Sequence, residues 1–252
     1  LVRANGSSFN NIHVLGNGVS WYQPAWGSRV PVTIQSNKVP ANATDFPVFI
    51  NLNDLPDSFF ANLKSDGSDI RVTSGDGVTE VPIEVVSVNT GAKTGELHFK
   101  ASLSSTSNAT YYVYHNNPSA TAYAVTDTYG RNNVWTNGYV GVWHMNNVGS
   151  TTIDSTGSGY TGTKGRASAA PTQVTSSLGF AQSFDGNDYI DLGDVLDPGS
   201  SHWTVTTWYK PTIVGVTQAG IIYNKENLYE GSSGGNNHQY AFMPAWAWYD
   251  GT

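Results

Sequence analysis

Apolar and polar residues alternate with a period of two along much of the first half of the chain, which puts the apolar side chains on one face of an extended strand. Val30, Val32 and Ile34 open the pattern, and Phe46, Val48, Ile50 and Leu52 repeat it. Residues 69–73, 81–88, 96–103 and 110–114 continue it, separated by the turn signals Asp66-Gly67, Asp76-Gly77 and Asn89-Thr90-Gly91. Short strands at this spacing predict antiparallel sheets in a sandwich or barrel. Only residues 55–63 carry a helical period, with Asp54 or Asp57 available as a cap, so one short helix is expected there.

Residues 116–138 are poorer in apolar periodicity and carry NNPS, a Tyr-Gly-Arg-Asn-Asn run and Thr-Asn-Gly, as in a linker or connection between domains. Beyond them, residues 139–145, 179–184, 189–192, 202–209 and 220–224 are short, aromatic or β-branched, and bounded by Gly, Asp or Pro. The expected fold is therefore all-β, with two antiparallel, jelly-roll-like β-sandwiches in tandem. The division runs as an N-terminal arm or strand over 1–25, a first sandwich over 26–117, a linker over 118–138 and a second sandwich over 139–252. The last four residues, Tyr249-Asp250-Gly251-Thr252, read as a hairpin turn with no returning strand, so the second sandwich is expected to be incomplete.

Composition narrows the partners. Of the 252 residues only 12% are charged, about half the usual share, while 27 Gly, 8 Trp and 14 Tyr leave a surface rich in hydroxyls and amides. The net charge is -7 and the 12 Lys and Arg are scattered, so no basic stripe exists to neutralise phosphates and nucleic acid is not an expected partner. Cysteine is absent, which removes disulfides, thiolate metal sites and thiol nucleophiles together. No apolar run has the length to cross a bilayer, so direct membrane insertion is not expected either. The first residue is Leu1, as in a mature product or an excised piece. Asn5, Asn42 and Asn108 each open an Asn-x-Ser/Thr triplet and are glycosylation candidates if the chain is exported.

Residues 26–117, with WGSRVPVTI, DFPVFINL, DGSDIRVTSGDGVTEVPIEV, GELHFKASL and YYVYHNNP, resemble the extracellular module known as domain of unknown function 2341. The following region, with VGVWHM, DSTGSGYTG, GFAQSFDGNDYIDLG and WTVTTWYKP, is similar to the laminin-G-like branch of the concanavalin A-like lectin/glucanase superfamily. The two resemblances imply a tandem from a large microbial surface protein, a jelly roll for the second half, and Ca²⁺ near its loops.

Candidate chemistry follows from oxygen, imidazole and aromatic groups. The stretch FDGNDYIDLGDVLDP is dense in hard oxygen ligands, and Asp154, Asp185 and Asp188 are the expected Ca²⁺ ligands if their loops converge; Asp185-Gly186 as a plain turn is the competing expectation. Trp246, Trp248 and Tyr249, beside Asn236 and Asn237, form a candidate sugar platform, with burial of the two Trp in a sandwich core as the alternative. Trp143, Trp203 and Trp208 are expected to pack, and Trp21 and Trp26 to seal the start of the first sandwich. His144 interrupts an aromatic strand and is a candidate ligand or metal contact, set against a role as a satisfied interface histidine.

No nucleophile elbow and no glucanase triplet of carboxylates is present. Glu226 and Glu230 come nearest, but on one strand they stand roughly 13 Å apart, too far for either hydrolytic geometry. The expected function is a non-catalytic extracellular adhesion or carbohydrate-binding module whose partners are glycans or other surface polymers. A structural subunit of a surface fibre or layer is the alternative, assembling as a homo-oligomer or filament through the N-terminal segment by strand addition. A glycoside hydrolase is the third.

Overall fold

The computed structural model describes residues 20–176, 179–196, 202–210, 223–226 and 238–242. Its strands are β1 (Ser28–Ile34), β2 (Ala43–Asn51), β3 (Arg71–Thr73), β4 (Glu80–Val81), β5 (Ile83–Asn89), β6 (Thr94–Leu103) and β7 (Ala109–His115), with one helix, α1 (Asp57–Ala61), between β2 and β3. Beyond them come β8 (Thr151–Thr152), β9 (Gly162–Lys164), β10 (Thr172–Ser176), β11 (Gly179–Ser183), β12 (Ile190–Asp191), β13 (Tyr223–Glu226) and β14 (His238–Phe242). The fold is all-β and the strand pairs are antiparallel.

Two sheets pack as a sandwich, one ordered β1-β7-β3-β4 and the other β2-β6-β5. The alternation read along the chain decides what lies between them. Ile50, Leu97 and Phe99 from one sheet meet Val72 and Val113 from the other, and Phe59 and Phe60 of α1 close the same core. Burying side chains of this size stabilises the sandwich by roughly 1.5–3 kcal/mol each. The helix forms where a helical period is expected, but its N-cap is Pro56, with Asp57 in the first turn, so neither Asp54 nor Asp57 caps it by its side chain. Proline supplies the extended dihedral that a cap position adopts. Asp76-Gly77 turns β3 into β4 with Gly77 at φ 77°, a backbone conformation that glycine adopts without steric cost.

Trp26 is buried against Tyr114 and Ala120 and donates its Nε1 to the Asp69 carbonyl at 2.7 Å, while Trp21 donates to the Trp26 carbonyl. These two residues close one end of the first sandwich.

Residues 116–138, read from composition as a connection between domains, are held against the sheets. Val134 is fully buried, Trp135 and Ala120 nearly so, and the Tyr129 carbonyl accepts the Ile83 N–H at the start of β5. The apolar residues are few but large enough to pin the segment to the sheets.

Residues 139–145 form no strand, contrary to their aromatic pattern. Their polar groups are partnered by side chains and isolated backbone bonds instead of a ladder. Val142 donates its N–H to Asp154 and accepts from the Ser155 N–H, Trp143 donates to the Tyr160 carbonyl, and Met145 takes a left-handed φ of 56° that breaks any extended run. The chain then threads between β5 and the later strands. Asn146 Nδ2 donates to the Val86 carbonyl, Gln182 Nε2 to the Met145 and Asn147 carbonyls, and Lys164 Nζ to the Asn147 carbonyl.

Strand β9 lies between β12 and β8 in a small sheet, and β10 pairs with β11 as a hairpin. Residues up to Leu196 make one compact unit and Asp197–Thr252 another, so the division falls well beyond residue 138. In the second unit β13 pairs with β14, whereas residues 202–209, expected as a strand, lie outside any strand.

Candidate functional site

On β6 the residues Leu97, Phe99 and Ala101 point into the core, so Glu96, His98 and Lys100 must stand on the opposite face. Glu84 of β5 lies directly across from His98 in the ladder. A polar face of this kind ordinarily meets water. Here Trp135, His144 and Ser155 come down onto it, leaving Glu84 6% exposed and Glu96 and His98 each 9% exposed. A β-bulge between Val85 and Ser87 separates the Glu84 rung from the Glu96 rung, and the bulged Val86 offers its carbonyl to Asn146, two residues beyond His144.

The buried groups form one continuous row. Glu84 Oε2 accepts from Trp135 Nε1 at 2.6 Å and lies 3.1 Å from His144 Nε2, while Glu84 Oε1 accepts from Ser155 Oγ at 2.5 Å. The other nitrogen of the same ring, His144 Nδ1, is 3.3 Å from Glu96 Oε1. That oxygen also faces His98 Nε2 at 2.9 Å. The two imidazoles lie 5.0 Å apart between centroids, and the Trp135 indole is 5.0 Å from His98 and 5.7 Å from His144. His98 Nδ1 is buried and has no hydrogen-bond partner.

Electrostatics acts on Glu84, Glu96 and His144. Burial comes first on each of these three and disfavours charge, yet it is outweighed by neighbours. Hydrogen bonds and charge from Glu84 and Glu96 lift His144 to about 9. The same contacts, with Ser155 and Trp135, hold Glu84 below the usual carboxylate range, and His144 with His98 holds Glu96 at about 2. At neutral pH His144 is an imidazolium clamped between two carboxylates.

Glu84, His144 and Ser155 also line a cleft of about 290 Å³. Arg71, Arg131 and Tyr123 line the same cleft. Arg131 Nε is buried without a hydrogen-bond partner, and Arg71 Nε has only the Glu80 carboxylate, at 3.6 Å. Tyr123 donates its hydroxyl to that same Glu80 at 2.6 Å and carries the Arg71 guanidinium 4.1 Å above its ring.

Of the residues singled out by sequence, His144 lies at the centre of the row, held by carboxylates and not by a backbone carbonyl. Asp154, Asp185 and Asp188 are not brought together. Asp154 is 2% exposed and both its oxygens are engaged within the protein: Oδ1 accepts from the N–H of Val142 on the preceding segment and of Thr156, Oδ2 from Thr156 Oγ1 and the Tyr160 N–H. Asp185 and Asp188 sit on an exposed turn, where Asp185 Oδ1 accepts from the Asn187 N–H and Asp188 Oδ2 from the Asp185 N–H. Among the described residues, the His, Asp and Glu side chains whose ligand atoms converge are Glu96, His98 and His144.

Asn42 and Asn108 are exposed, each accepting on its Oδ1 from a neighbouring loop. Trp143 is partly buried, Trp203 is 48% exposed, and Trp208, expected to pack, is 89% exposed. Asn5, Asn236, Asn237, Trp246, Trp248, Tyr249 and Glu230 lie outside the described residues.

Sequence reasoning passed over Glu84, Glu96 and His98. Their one legible signal is that Glu96-Leu97-His98 puts a carboxylate and an imidazole on the same face of a strand, two residues apart. No family model, curated protein or solved structure matches the chain.

Proposed function

We propose that this chain is a non-catalytic binding module of an extracellular cell-surface protein, and that it takes a carbohydrate in the cleft beside Glu84 and His144. The observation that carries the proposal is the pair of guanidinium groups lining a cleft of about 290 Å³, with Arg131 Nε lacking any acceptor. Buried N–H donors without partners are costly, and the hydroxyl or carboxylate oxygens of a sugar are suited to satisfy them. The low charge and the hydroxyl- and amide-rich composition accord with a place outside the cell.

Electrostatics argues against hydrolysis. Retaining and inverting glycosidases both need one carboxyl held protonated beside an ionised partner. Glu84 and Glu96 are both held ionised by the imidazolium between them, so neither is poised as the acid. Ser155 gives its hydrogen bond to Glu84 and not to His144, so the order of a serine triad is not made either.

Titration calorimetry of the full chain against neutral and acidic oligosaccharides tests the proposal. Binding by the wild type that weakens at least about ten-fold in Arg131→Ala is the expected result, in line with the loss of a charge-assisted hydrogen bond. Absence of oligosaccharide binding at millimolar concentration, or an unchanged affinity in Arg131→Ala, would overturn it.

A further inference from the structure

We propose that Glu96, His98 and His144 form a binding site for a divalent transition metal ion of the zinc type. Each contributes one ligand atom, and the three atoms lie within 4.8 Å of one another. Glu96 Oε1 is 2.9 Å from His98 Nε2 and 3.3 Å from His144 Nδ1. Ligands about 2.0–2.1 Å from a tetrahedral zinc ion stand roughly 3.3 Å from each other, so the cation fits after side-chain adjustments, with the strands left in place. Two imidazoles and a carboxylate are the donor set that zinc and its neighbours in the first transition row prefer, whereas calcium asks for six to eight oxygens.

Two features beyond proximity point to a metal. The first is Glu84, whose Oε2 lies 3.1 Å from His144 Nε2. By accepting the Nε2–H it turns Nδ1 toward Glu96, and an arriving cation displaces the Nδ1 proton to solvent, which gives the carboxylate–histidine–metal arrangement that orients ligating imidazoles. Glu84 is itself fixed by Trp135 and Ser155, so the orientation is rigid. The second is His98, buried with Nδ1 unpartnered. Without an ion the Glu96 carboxylate accepts the Nε2–H; with an ion in that place the ring proton moves to Nδ1, which has no protein partner, and the Nε2 lone pair is left for the metal. A cation between Nε2 and Oε1 then supplies the attraction that the shared proton provides without it.

Of the three ligands His144 lines the cleft, beside Glu84. Three protein ligands leave one coordination position to water or to an incoming oxygen, the pattern of open and not of closed structural sites.

The full chain, stripped with chelator and dialysed, is titrated with ZnCl₂ by calorimetry and with CoCl₂ by visible absorption. One equivalent of Zn²⁺ is expected to bind, with Co²⁺ giving the intense d–d bands of a four-coordinate site. His98→Phe keeps the ring stack against Phe49 and Trp135 while removing the ligand, and is expected to lower Zn²⁺ affinity at least ten-fold. Glu84→Gln is expected to lower it about 10–100-fold without removing a ligand atom. Failure of the wild type to bind a stoichiometric ion, or Co²⁺ bands that persist unchanged in His98→Phe, would overturn the site. The wild-type cobalt spectrum decides the matter even if a variant does not fold. Because these titrations contain no sugar, their failure leaves the carbohydrate proposal standing, and the converse holds.

Discussion

His144 Nε2 lies 3.1 Å from Glu84 Oε2 across 60 residues of chain, and this contact closes the segment after residue 138 onto the outer face of β5 and β6. The segment has no ladder to hold it there. Its attachment rests on side chains, chiefly His144 on Glu84 and Glu96, Ser155 on Glu84 and Asn146 on Val86.

Glu84→Gln is therefore expected to destabilise the chain by about 3–5 kcal/mol, the cost of leaving one partner of a buried charge pair uncompensated. Urea unfolding measures it. A His144→Gln/Glu84→Gln double-mutant cycle is expected to show a coupling of about 1–3 kcal/mol, and additive losses would mean that the contact is not energetically real.

Asp154 holds its loop through four hydrogen bonds and has no oxygen to spare. Asp154→Ala is expected to cost roughly 1.5–3 kcal/mol by thermal or chemical denaturation, whether or not calcium is present. A melting temperature that rises with added calcium in the wild type but not in Asp154→Ala would return this residue to the role of ligand.

His115 gives the first sandwich an acid-sensitive element. It is 3% exposed, stacks on Phe59 at 4.7 Å between centroids, and burial lowers its pKa below the ordinary 6.5 despite the opposing charge of Asp69. Between the lowered folded value and 6.5 the unfolded chain binds more protons than the folded one. The contribution to stability is thus complete above about pH 6.5 and falls away as the pH drops through the folded value. Unfolding free energies at pH 8 and pH 5 are expected to differ less in His115→Phe than in the wild type, and equal differences would remove His115 from the account.

Gly95 is a position where size alone decides. A Cβ there would come within 2.6 Å of both the Leu52 side chain and the Ser87 carbonyl, and the carbonyl belongs to the ladder beside the bulge and is not free to move. Gly95→Ala is expected to lose about 1–3 kcal/mol by overpacking. A neutral or stabilising change, read from the denaturation midpoint, would show that the bulge relaxes.

Much of the first sandwich was legible because its strands carry short-range information. Val30, Val32 and Ile34, or Leu97, Phe99 and Ala101, declare an inward face by spacing two, and Asp76-Gly77 declares a turn by its own backbone preference. The failures share a cause. Residues 139–145 look like a strand because aromatic and β-branched residues usually find a ladder, but their partners are Asp154, Ser155 and Tyr160, whose placement no local pattern encodes. The same holds for Val134 and Trp135, whose burial turns an Asn-rich linker into a cover for a sheet.

The amino-acid sequence alone determined that this chain is all-β, which side of β6 is apolar, and that it holds no thiol, since these depend on composition and on the two-residue repeat of an extended backbone. Only the tertiary structure decided that the polar side of β6 is covered and not wet. That covering brings Glu84, Glu96, His98 and His144 within contact of one another, because the energy that joins them comes from charges paired in a space without water, and such a space exists only once distant segments have packed.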